Sequence, residues 1–290
     1  MRVKQFGELT DQNSQFENAR VVILPVPFEA GSNWIKGSDK GPEALIEASA
    51  SMHLYDIQSD FELFKLGIHT AEAVKEGKSH EKMVKEVEIR TMQLLKKRKF
   101  PVIIGGEHST GIGSIKACAE YYKDKDFCVL QLGAHANQRP DYKGLAYHHR
   151  CVMARASELA PVLQVGIRSM SAEERDGIKP ERVFYAHNIL VGSSKTWMYD
   201  FLNKLDKHVY ISINLDVFDP AIMAATANPE PGGLGWYQVL EILQAVVEKS
   251  IVVGFDVTGL CPIKYNKAPN LLAAKLLAQL LTYRFAGTLK

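Results

Sequence analysis

The fold of this chain is decided by the stretch Phe127-Cys128-Val129-Leu130-Gln131-Leu132-Gly133-Ala134-His135-Ala136-Asn137. A largely apolar run ends here in a short polar segment that contains a histidine. An apolar run of this length is typical of a strand that is buried on both faces of a parallel sheet. Side chains that follow such strands lie over the carboxyl edge of the sheet, where ligands bind. His135 is therefore predicted to lie in a pocket.

Two other segments repeat this arrangement of an apolar run followed by polar residues. The first is Gly105-Gly106-Glu107-His108-Ser109-Thr110, which follows the apolar segment 102–104. The second is Ser212-Ile213-Asn214-Leu215-Asp216-Val217-Phe218-Asp219-Pro220, whose first two residues are the last two of the run 209–213. Because the carboxyl ends of parallel strands share one edge of a sheet, we expect the side chains of these loops to converge.

Strand-like and helix-like segments alternate along the whole chain. The strand-like segments are 21–24, 102–104, 128–130, 163–167, 209–213 and 251–255, and the helix-like ones are 81–97, 110–122, 195–205, 236–249 and 269–285. This alternation predicts right-handed βαβ units and an α/β fold with a mostly parallel sheet. Since no shift in composition marks a linker, we expect a single domain over residues 1–290.

Composition narrows the class of protein. Hydrophobic residues make up 46% of the 290 residues, charged residues 23%, and the formal net charge is +2. Such a balance is that of a globular protein with a sizeable core, and it argues against a nucleic-acid partner. The start of the chain lacks an apolar signal core, and no apolar run approaches the length of a membrane span. The four cysteines have no zinc-binding spacing, so a reduced, cytoplasmic protein is the expectation.

Together the three polar loops resemble those of the ureohydrolase family of arginases and agmatinases, and are most similar to the bacterial agmatinase-like members. Three further segments extend the likeness over nearly the whole chain: the loop 37–42, which opens a helix at its proline, the segment from Asp141 through Gly144 to His149, and the glycine turn 229–234. The resemblance implies an arginase-like three-layer αβα sandwich with about eight strands, and a homo-oligomer, either a trimer or a hexamer.

In that family, two Mn²⁺ ions share two His and four Asp ligands and activate a bridging hydroxide. Transferred position by position, the ligands become His108, Gly133, His135, Asn137, Asn214 and Asp216. Only His108, His135 and Asp216 keep their donors and stand as residual metal candidates. One carboxylate in place of four would leave about three positive charges uncompensated. We therefore expect no dimanganese cofactor. One alternative is a single weakly held Mn²⁺ on His135 and Asp216, with Asn214 and waters as further ligands. In another, Glu107 or Asp141 replaces a lost carboxylate at one metal position.

The substrate side of the site is altered too. His149 and Asn137 are predicted to contact a ligand, while Gly259 stands where the family has a glutamate. His148 and Arg150 flank His149, so one hypothesis is that either of them turns toward the former metal site and pairs with Asp216. The alternative is that both point to solvent or into a subunit contact.

Two residues also have purely structural interpretations. His108 would cap the helix that begins near Thr110, and Asp219 would accept backbone hydrogens in a turn. No nucleophile is placed next to a base, so no residue is assigned a catalytic role; the pocket candidates are His148, His149, Arg150, Asn137 and Asn214.

The sequence favours one function and leaves another open. The first is a pseudoenzyme that binds a small guanidino or amine ligand, or that regulates a partner, for example as an accessory chain to an intact homologue. The second is an agmatinase-like hydrolase of a guanidino or amide C–N bond that uses a depleted or single-metal site.

Overall fold

A computed structural model describes residues 3–31, 34–75, 77, 79–192 and 196–288. The strands of this part of the chain are β1 (Val21–Val26), β2 (Tyr55–Asp56), β3 (Phe61–Glu62), β4 (Ile68–Thr70), β5 (Phe100–Gly105), β6 (Phe127–Leu132), β7 (Val162–Ile167), β8 (Val183–Tyr185), β9 (His208–Asn214) and β10 (Ile251–Thr258). Eight of them form a sheet in the order β4-β1-β5-β10-β9-β6-β7-β8, and β2 pairs with β3 separately. Every ladder of the larger sheet is parallel, which confirms the predicted sheet.

Helices cover both faces of this sheet. They are α1 (Asp11–Ser14), α2 (Gly41–Ser49), α3 (His80–Lys96), α4 (Ile112–Tyr121), α5 (Val152–Ser157), α6 (Ala172–Arg175), α7 (Ala186–Val191), α8 (Thr196–Leu202), α9 (Trp236–Lys249) and α10 (Ala268–Phe285). Buried side chains of α2, α9 and α10 share one hydrophobic cluster, and those of α3, α4 and α5 share another. The sheet lies between the two layers, so the predicted αβα sandwich is confirmed.

Strand β5 shows why the sequence folds this way. Val102 and Ile104 belong to the cluster of the first helix layer, whereas Ile103 belongs to the cluster of the second. Successive side chains of a strand point to opposite faces, so a strand covered on both sides must be apolar at every position. Fully burying a side chain of this size contributes roughly 1.5–3 kcal/mol, and the continuous apolar runs therefore become the central strands.

The predicted strands all lie within observed ones, but the two edge strands were missed. Strands β4 and β8 have three residues each, which is too short for a periodic pattern to be recognised. The predicted helix 195–205 corresponds to α8, which ends three residues earlier, at Leu202; Lys195 lies outside the described residues. The other predicted helices agree with α3, α4, α9 and α10 to within two residues at each end.

Strand order decides where the site forms. Strands β5, β10, β9 and β6 are neighbours at the centre of the sheet, so the loops that follow them meet at one carboxyl edge. The loops that contain His108, Asp216 and His135 follow β5, β9 and β6, and their expected convergence is confirmed. The loop after β10, which contains Gly259, joins them. Among the described residues, no helix combines the length and the apolar character needed to cross a lipid bilayer.

Candidate functional site

A cavity of about 270 Å³ opens at this carboxyl edge. Its volume lies near the lower end of the range for small-molecule sites. The residues predicted from the sequence that line it are Glu107, His108, His135, Asn137, His149, Arg150, Asn214, Asp216 and Gly259. Its walls also contain residues that sequence patterns did not single out, among them Trp34, Ser38, Arg139, Thr226 and Glu230.

His135 and Asp216 form a hydrogen-bonded ion pair at the cavity. His135 Nδ1 donates to Asp216 Oδ2 at 2.8 Å, and the backbone N–H of Ala134 donates to Asp216 Oδ1 at 2.8 Å. Burial raises the pKa of Asp216, but the hydrogen bond and charge of His135 bring it below its ordinary value. Burial likewise lowers the pKa of His135, but Asp216 raises it above 6.5 overall. The pair therefore favours an imidazolium beside a carboxylate.

The backbone around Asp216 is held by two other side chains. Asn214 Oδ1 accepts the N–H of Asp216 at 3.2 Å and so caps the 3₁₀ turn Leu215–Val217. The guanidinium of Arg168 donates to backbone carbonyls of Asp216, at 2.7 Å, and of Glu230, at 2.7 Å. Because Arg168 binds both segments, it ties the loop after β9 to the segment that carries Glu230.

His108 lies deeper and belongs to a different chain of hydrogen bonds. Its Nε2 is 3.1 Å from Ser212 Oγ, which donates to Asp256 Oδ1 at 3.0 Å. Its Nδ1 is 3.0 Å from the side-chain amide nitrogen of Asn137. Burial lowers the pKa of His108 to about 4, and burial raises the pKa of Asp256 to about 7.

One tautomer of a neutral His108 satisfies this chain. Asn137 Nδ2 can only donate, so His108 Nδ1 must accept, which leaves the ring proton on Nε2. Nε2–H donates a hydrogen bond to Ser212 Oγ, and the Ser212 hydroxyl donates a hydrogen bond to Asp256 Oδ1. The lone pair of His108 Nδ1 is therefore already used within the protein. The interpretation of His108 as a helix cap is wrong, because its ring bonds to β9 and to the loop after β6.

Asn137 adopts a backbone conformation that suits few other residues. Its φ is +52°, in the left-handed region that asparagine tolerates better than most side chains. Its carbonyl accepts the N–H of Met153 at 3.0 Å, at the start of α5. Two glutamines of the neighbouring strands β6 and β7 also hold this loop. Gln131 Nε2 donates to the carbonyl of His135 at 2.9 Å, and Gln164 Nε2 donates to that of Ala136 at 2.8 Å.

Glu107 is engaged by groups around its whole carboxylate. Its Oε1 accepts from His80 Nε2 at 3.0 Å and from Ser109 Oγ at 2.6 Å, and its Oε2 accepts the N–H groups of Ala30, at 3.1 Å, and Gly31, at 2.9 Å. Burial raises the pKa of Glu107, but interactions with His149, His80 and Ser109 bring it well below its ordinary value. Glu107 thus ties the loop after β5 to the segment 30–31. The other proposed replacement ligand, Asp141, is exposed and accepts the N–H of Gly144.

Neither His148 nor Arg150 pairs with Asp216, so that hypothesis is wrong. His148 is 3% exposed, and its ring packs 4.4 Å from that of Tyr142 and 4.0 Å from that of His149. The guanidinium of Arg150 lies 4.8 Å from the centre of the Tyr142 ring. An aromatic face attracts an arginine without any carboxylate. Since His148 is buried within this chain, the alternative that it points to solvent is wrong as well.

The two glycines of the site differ in what surrounds them. A Cβ built on Gly133 would lie 3.1 Å from Gln131 Nε2 and 3.3 Å from Asp216 Oδ1, a tight but adjustable fit. Gly259 has φ of +88°, and a Cβ there would lie 2.4 Å from Asn214 Oδ1. Asn214 thus occupies space that any side chain at position 259 would need.

Asp219 is a structural residue, as predicted. Its carboxylate accepts the backbone N–H groups of Ala221, Gly232 and Gly233 at 2.9–3.0 Å. These bonds, of which the one from Ala221 contributes most, lower the pKa of Asp219. They join the loop after β9 to the glycine turn that follows Glu230.

Several residues of the cavity gave no signal in the sequence. Glu230 Oε2 lies 3.9 Å from His135 Nε2, yet it belongs to a turn that was recognised only for its glycines. Ser38 lies in the loop 37–42, which was recognised only for the helix that opens at its proline. Thr226 lies in an irregular segment that has no periodicity. Within the described residues, no group of three or more His, Cys, Asp or Glu side chains is arranged to hold a metal ion.

Comparisons with known proteins agree with this architecture. A model described as the arginase family matches residues 19–282. An N(1)-aminopropylagmatine ureohydrolase from Synechocystis sp. is 32% identical, over 97% of this chain and 94% of that protein. A second protein of that description, from Thermus thermophilus, is 34% identical over 89% and 87% of the two chains.

Solved structures show the same fold. The agmatine ureohydrolase of Thermoplasma volcanium has a TM-score of 0.87 and 27% identity, covering 99% of this chain and 96% of that one. Proclavaminate amidinohydrolase from Streptomyces clavuligerus has a TM-score of 0.85 and 26% identity, covering 99% and 98%. With the eight-stranded sheet and the family model matched from residue 19 to residue 282, this chain belongs to the arginase family and is an agmatinase-like ureohydrolase in fold.

Proposed function

We propose that this chain binds a small polar molecule in the cavity and does not carry out the metal-dependent guanidino hydrolysis typical of its family. One observation supports this most directly. Each donor at the positions where the family holds manganese is missing, is uncharged, or is already hydrogen-bonded within the protein.

The residues present do not fit a pair of Mn²⁺ ions. Gly133 offers no donor, and the amides of Asn137 and Asn214 carry no charge, so Asp216 is the one carboxylate of the set. Mn²⁺ prefers carboxylate oxygens, and an uncompensated divalent ion in a poorly solvated pocket costs several kcal/mol. Both oxygens of Asp216 accept hydrogen bonds, from Ala134 and His135, which a metal would have to displace.

One carboxylate of the cavity, that of Glu230, suits a ligand with a positively charged amine. The side chain of Glu230 lies near His135 and is 34% exposed. Its carboxylate is therefore accessible to a cation that enters the cavity. A primary amine beside Glu230 would form a charge-assisted hydrogen bond. The proposed ligand class is therefore a small amine.

Metal binding and turnover test this proposal together. The protein is purified with added Mn²⁺, its metal content is measured, and urea release is assayed with agmatine, arginine and N(1)-aminopropylagmatine. We expect less than one Mn²⁺ per chain and no urea above background. The matched control carries Gly133→Asp, Asn137→Asp and Asn214→Asp together, which restores the carboxylates and should restore Mn²⁺ binding. Two Mn²⁺ ions per chain in the unaltered protein, with urea formed, would overturn the proposal.

A second candidate function is an agmatinase-like hydrolase with one metal ion. It is favoured by the 32% identity with an N(1)-aminopropylagmatine ureohydrolase over 97% of this chain. The residues that would hold the ion are His135 and Asp216, with Asn214 beside them; the ion would supply a more acidic bound water. Urea release that needs one equivalent of Mn²⁺ and stops with a chelator would establish this function instead.

We further propose that the chain acts as a single cytoplasmic domain and forms a homo-oligomer, a trimer or a hexamer, or joins an intact homologue as an accessory subunit. The family fold supports this part of the proposal. Light scattering on the purified protein, followed by co-purification from its native cell, tests it; a monodisperse monomer without a homologous partner would contradict it.

A further inference from the structure

Two buried hydroxyl groups in the wall of the cavity lack hydrogen-bond partners. Ser38 is 0% exposed and Thr226 is 2% exposed. Among the described residues, neither Ser38 Oγ nor Thr226 Oγ1 has a donor or acceptor within reach. Buried polar atoms in proteins are nearly always satisfied, and an unsatisfied one needs an explanation. Since both line the same cavity, a bound molecule is the partner that both would share.

These two residues flank Gly259. The N–H of Gly259 donates to the carbonyl of Gly106 at 2.8 Å, and Gly106 packs against the backbone of Ser38. On the other side, Thr226 forms an isolated antiparallel bridge with Leu260. Asn214 fills the space next to Gly259, where a Cβ would lie 2.4 Å from its Oδ1. We name the residues Ser38, Asn214, Thr226 and Gly259 the neutral wall.

The neutral wall contains no ionisable side chain. The carboxylate of Asp39, next to Ser38 in sequence, is exposed and does not line the cavity. The carboxylate of Asp216 is directed to Ala134 and His135. That of Glu107, which does line the cavity, accepts hydrogen bonds from His80, Ser109 and the segment 30–31. A guanidinium is permanently charged, and burying it beside uncharged groups leaves it without a counter-ion. A urea or amide group suits this wall better, because its carbonyl accepts from hydroxyl groups and its N–H groups donate to hydroxyl and amide oxygens.

We propose that the neutral wall is a subsite for an uncharged urea-type or amide-type end group, with the amine of the same ligand beside Glu230. This assignment rests on the proposed ligand-binding function and names the class of ligand. The cavity thus discriminates against the guanidinium group by lacking a carboxylate at the place where the end of the ligand is buried.

A matched pair of small molecules tests this assignment. Agmatine and (4-aminobutyl)urea have the same chain and amine, and differ in a terminal guanidinium or urea group. Their binding to the chelator-treated full chain is measured by calorimetry at neutral pH. We expect (4-aminobutyl)urea to bind at least about tenfold more tightly, the difference that one unmatched buried charge or hydrogen bond produces.

Variants of the neutral wall sharpen the test. Ser38→Ala and Thr226→Val should each weaken binding of the urea compound by about three- to tenfold, with little effect on agmatine. The control is Thr91→Val, since Thr91 in α3 is also fully buried with an unpartnered hydroxyl among the described residues but lies outside the cavity. It should leave both affinities unchanged.

Three outcomes would overturn the subsite: agmatine binds as tightly as its urea analogue, Thr226→Val behaves like Thr91→Val, or neither compound binds saturably at millimolar concentration. The comparison of the two compounds uses the unaltered protein, so it stands even where Ser38→Ala does not fold. Urea release from agmatine with Mn²⁺ is followed in parallel. Turnover there refutes the proposed function, whereas tight agmatine binding without turnover refutes the subsite alone.

Discussion

His108 and His135 line the same cavity, yet they lie in opposite electrostatic settings. His108 bonds to the neutral donors and acceptors Asn137 and Ser212, and burial lowers its pKa to about 4. His135 is only partly buried, and its hydrogen bond to Asp216 raises its pKa above 6.5. The difference teaches that burial alone does not decide the charge of a histidine; a bonded carboxylate outweighs the loss of solvation.

The largest expected effect comes from removing the carboxylate of the charged pair. Asp216→Ala leaves the N–H of Ala134 and the ring of His135 without their acceptor, and each donor left unsatisfied costs about 1–3 kcal/mol. Urea denaturation measures the loss in the free energy of unfolding.

Asp141→Ala is the control, because Asp141 is exposed and its replacement should change stability by less than about 1 kcal/mol. If both variants lose the same amount, the His135–Asp216 pair does not stabilise the fold.

The second effect concerns pH and the deeper chain of hydrogen bonds. The depressed pKa of His108 contributes stability that is present above 6.5 and is lost as the pH falls toward about 4. The raised pKa of Asp256 acts in the opposite direction, since its contribution is present below 3.8 and is lost as the pH rises toward about 7. In full, the contribution is about 3 kcal/mol for His108 and about 4 kcal/mol for Asp256, so the two largely cancel in the unaltered protein.

Single substitutions should expose the two opposing slopes. As the pH falls from 7 to 4, His108→Asn should become more stable relative to the unaltered protein, and Asp256→Asn should become less stable. Denaturation curves at several pH values measure this divergence. His53→Asn is the control, because His53 is exposed. Parallel pH profiles for all variants would contradict the neutral setting of His108.

A third, smaller effect tests how the backbone of Asp216 is held. Gly259→Ala forces a side chain into a left-handed backbone with φ of +88° and against Asn214 Oδ1, at a cost of about 2 kcal/mol. Gly144→Ala is a matched control, because Gly144 has φ of +77° but open space around it.

The difference between these two variants isolates the contact with Asn214. Adding Asn214→Ala to Gly259→Ala should recover part of the loss, since residues in contact are not additive. Calorimetric unfolding of the unaltered protein, the single variants Gly259→Ala and Asn214→Ala, and the double variant measures the coupling energy between the two residues. Strictly additive losses would show that Asn214 does not occupy this space.

The smallest expected effect is a loss of stability as the pH rises and His135 of the His135–Asp216 pair loses its proton. Because the pKa of His135 is raised, its contribution is fully present below 6.5 and is lost as the pH rises through the shifted value. We expect the stability change to stay below about 1 kcal/mol, as for partly exposed pairs. NMR titration of the His135 ring should show a lower pKa in Asp216→Asn; an unchanged value would mean that Asp216 does not set the charge of His135.

The central strands and the place of the cavity were predictable because their signal is local. Apolar runs buried on both faces stand out in the sequence, and the polar residues directly after them must lie at the carboxyl edge. His135, Asp216 and Asn137 were placed in the cavity on this ground, and the structure brings them together there. The edge strands β4 and β8 were missed because three residues carry no recognisable period.

The partners of the site residues were not predictable in the same way. One hypothesis paired Arg150 or His148 with Asp216, but the guanidinium of Arg150 lies over the Tyr142 ring instead. Ser38 and Thr226 come from segments far apart in the chain and carry no motif that links them. Only strand order and loop packing place both beside Gly259.

The amino-acid sequence by itself determined the α/β class and the polar segments that follow the central strands. It also determined the loss of carboxylates at three of the positions where the family has them. These properties depend on local periodicity and on residue identity. The tertiary structure alone decided in which direction the pKa of each histidine shifts and which hydroxyl groups lack a partner among the described residues. Those properties depend on burial and on contacts such as His135 with Asp216 and His108 with Ser212, which join residues 81 and 104 positions apart.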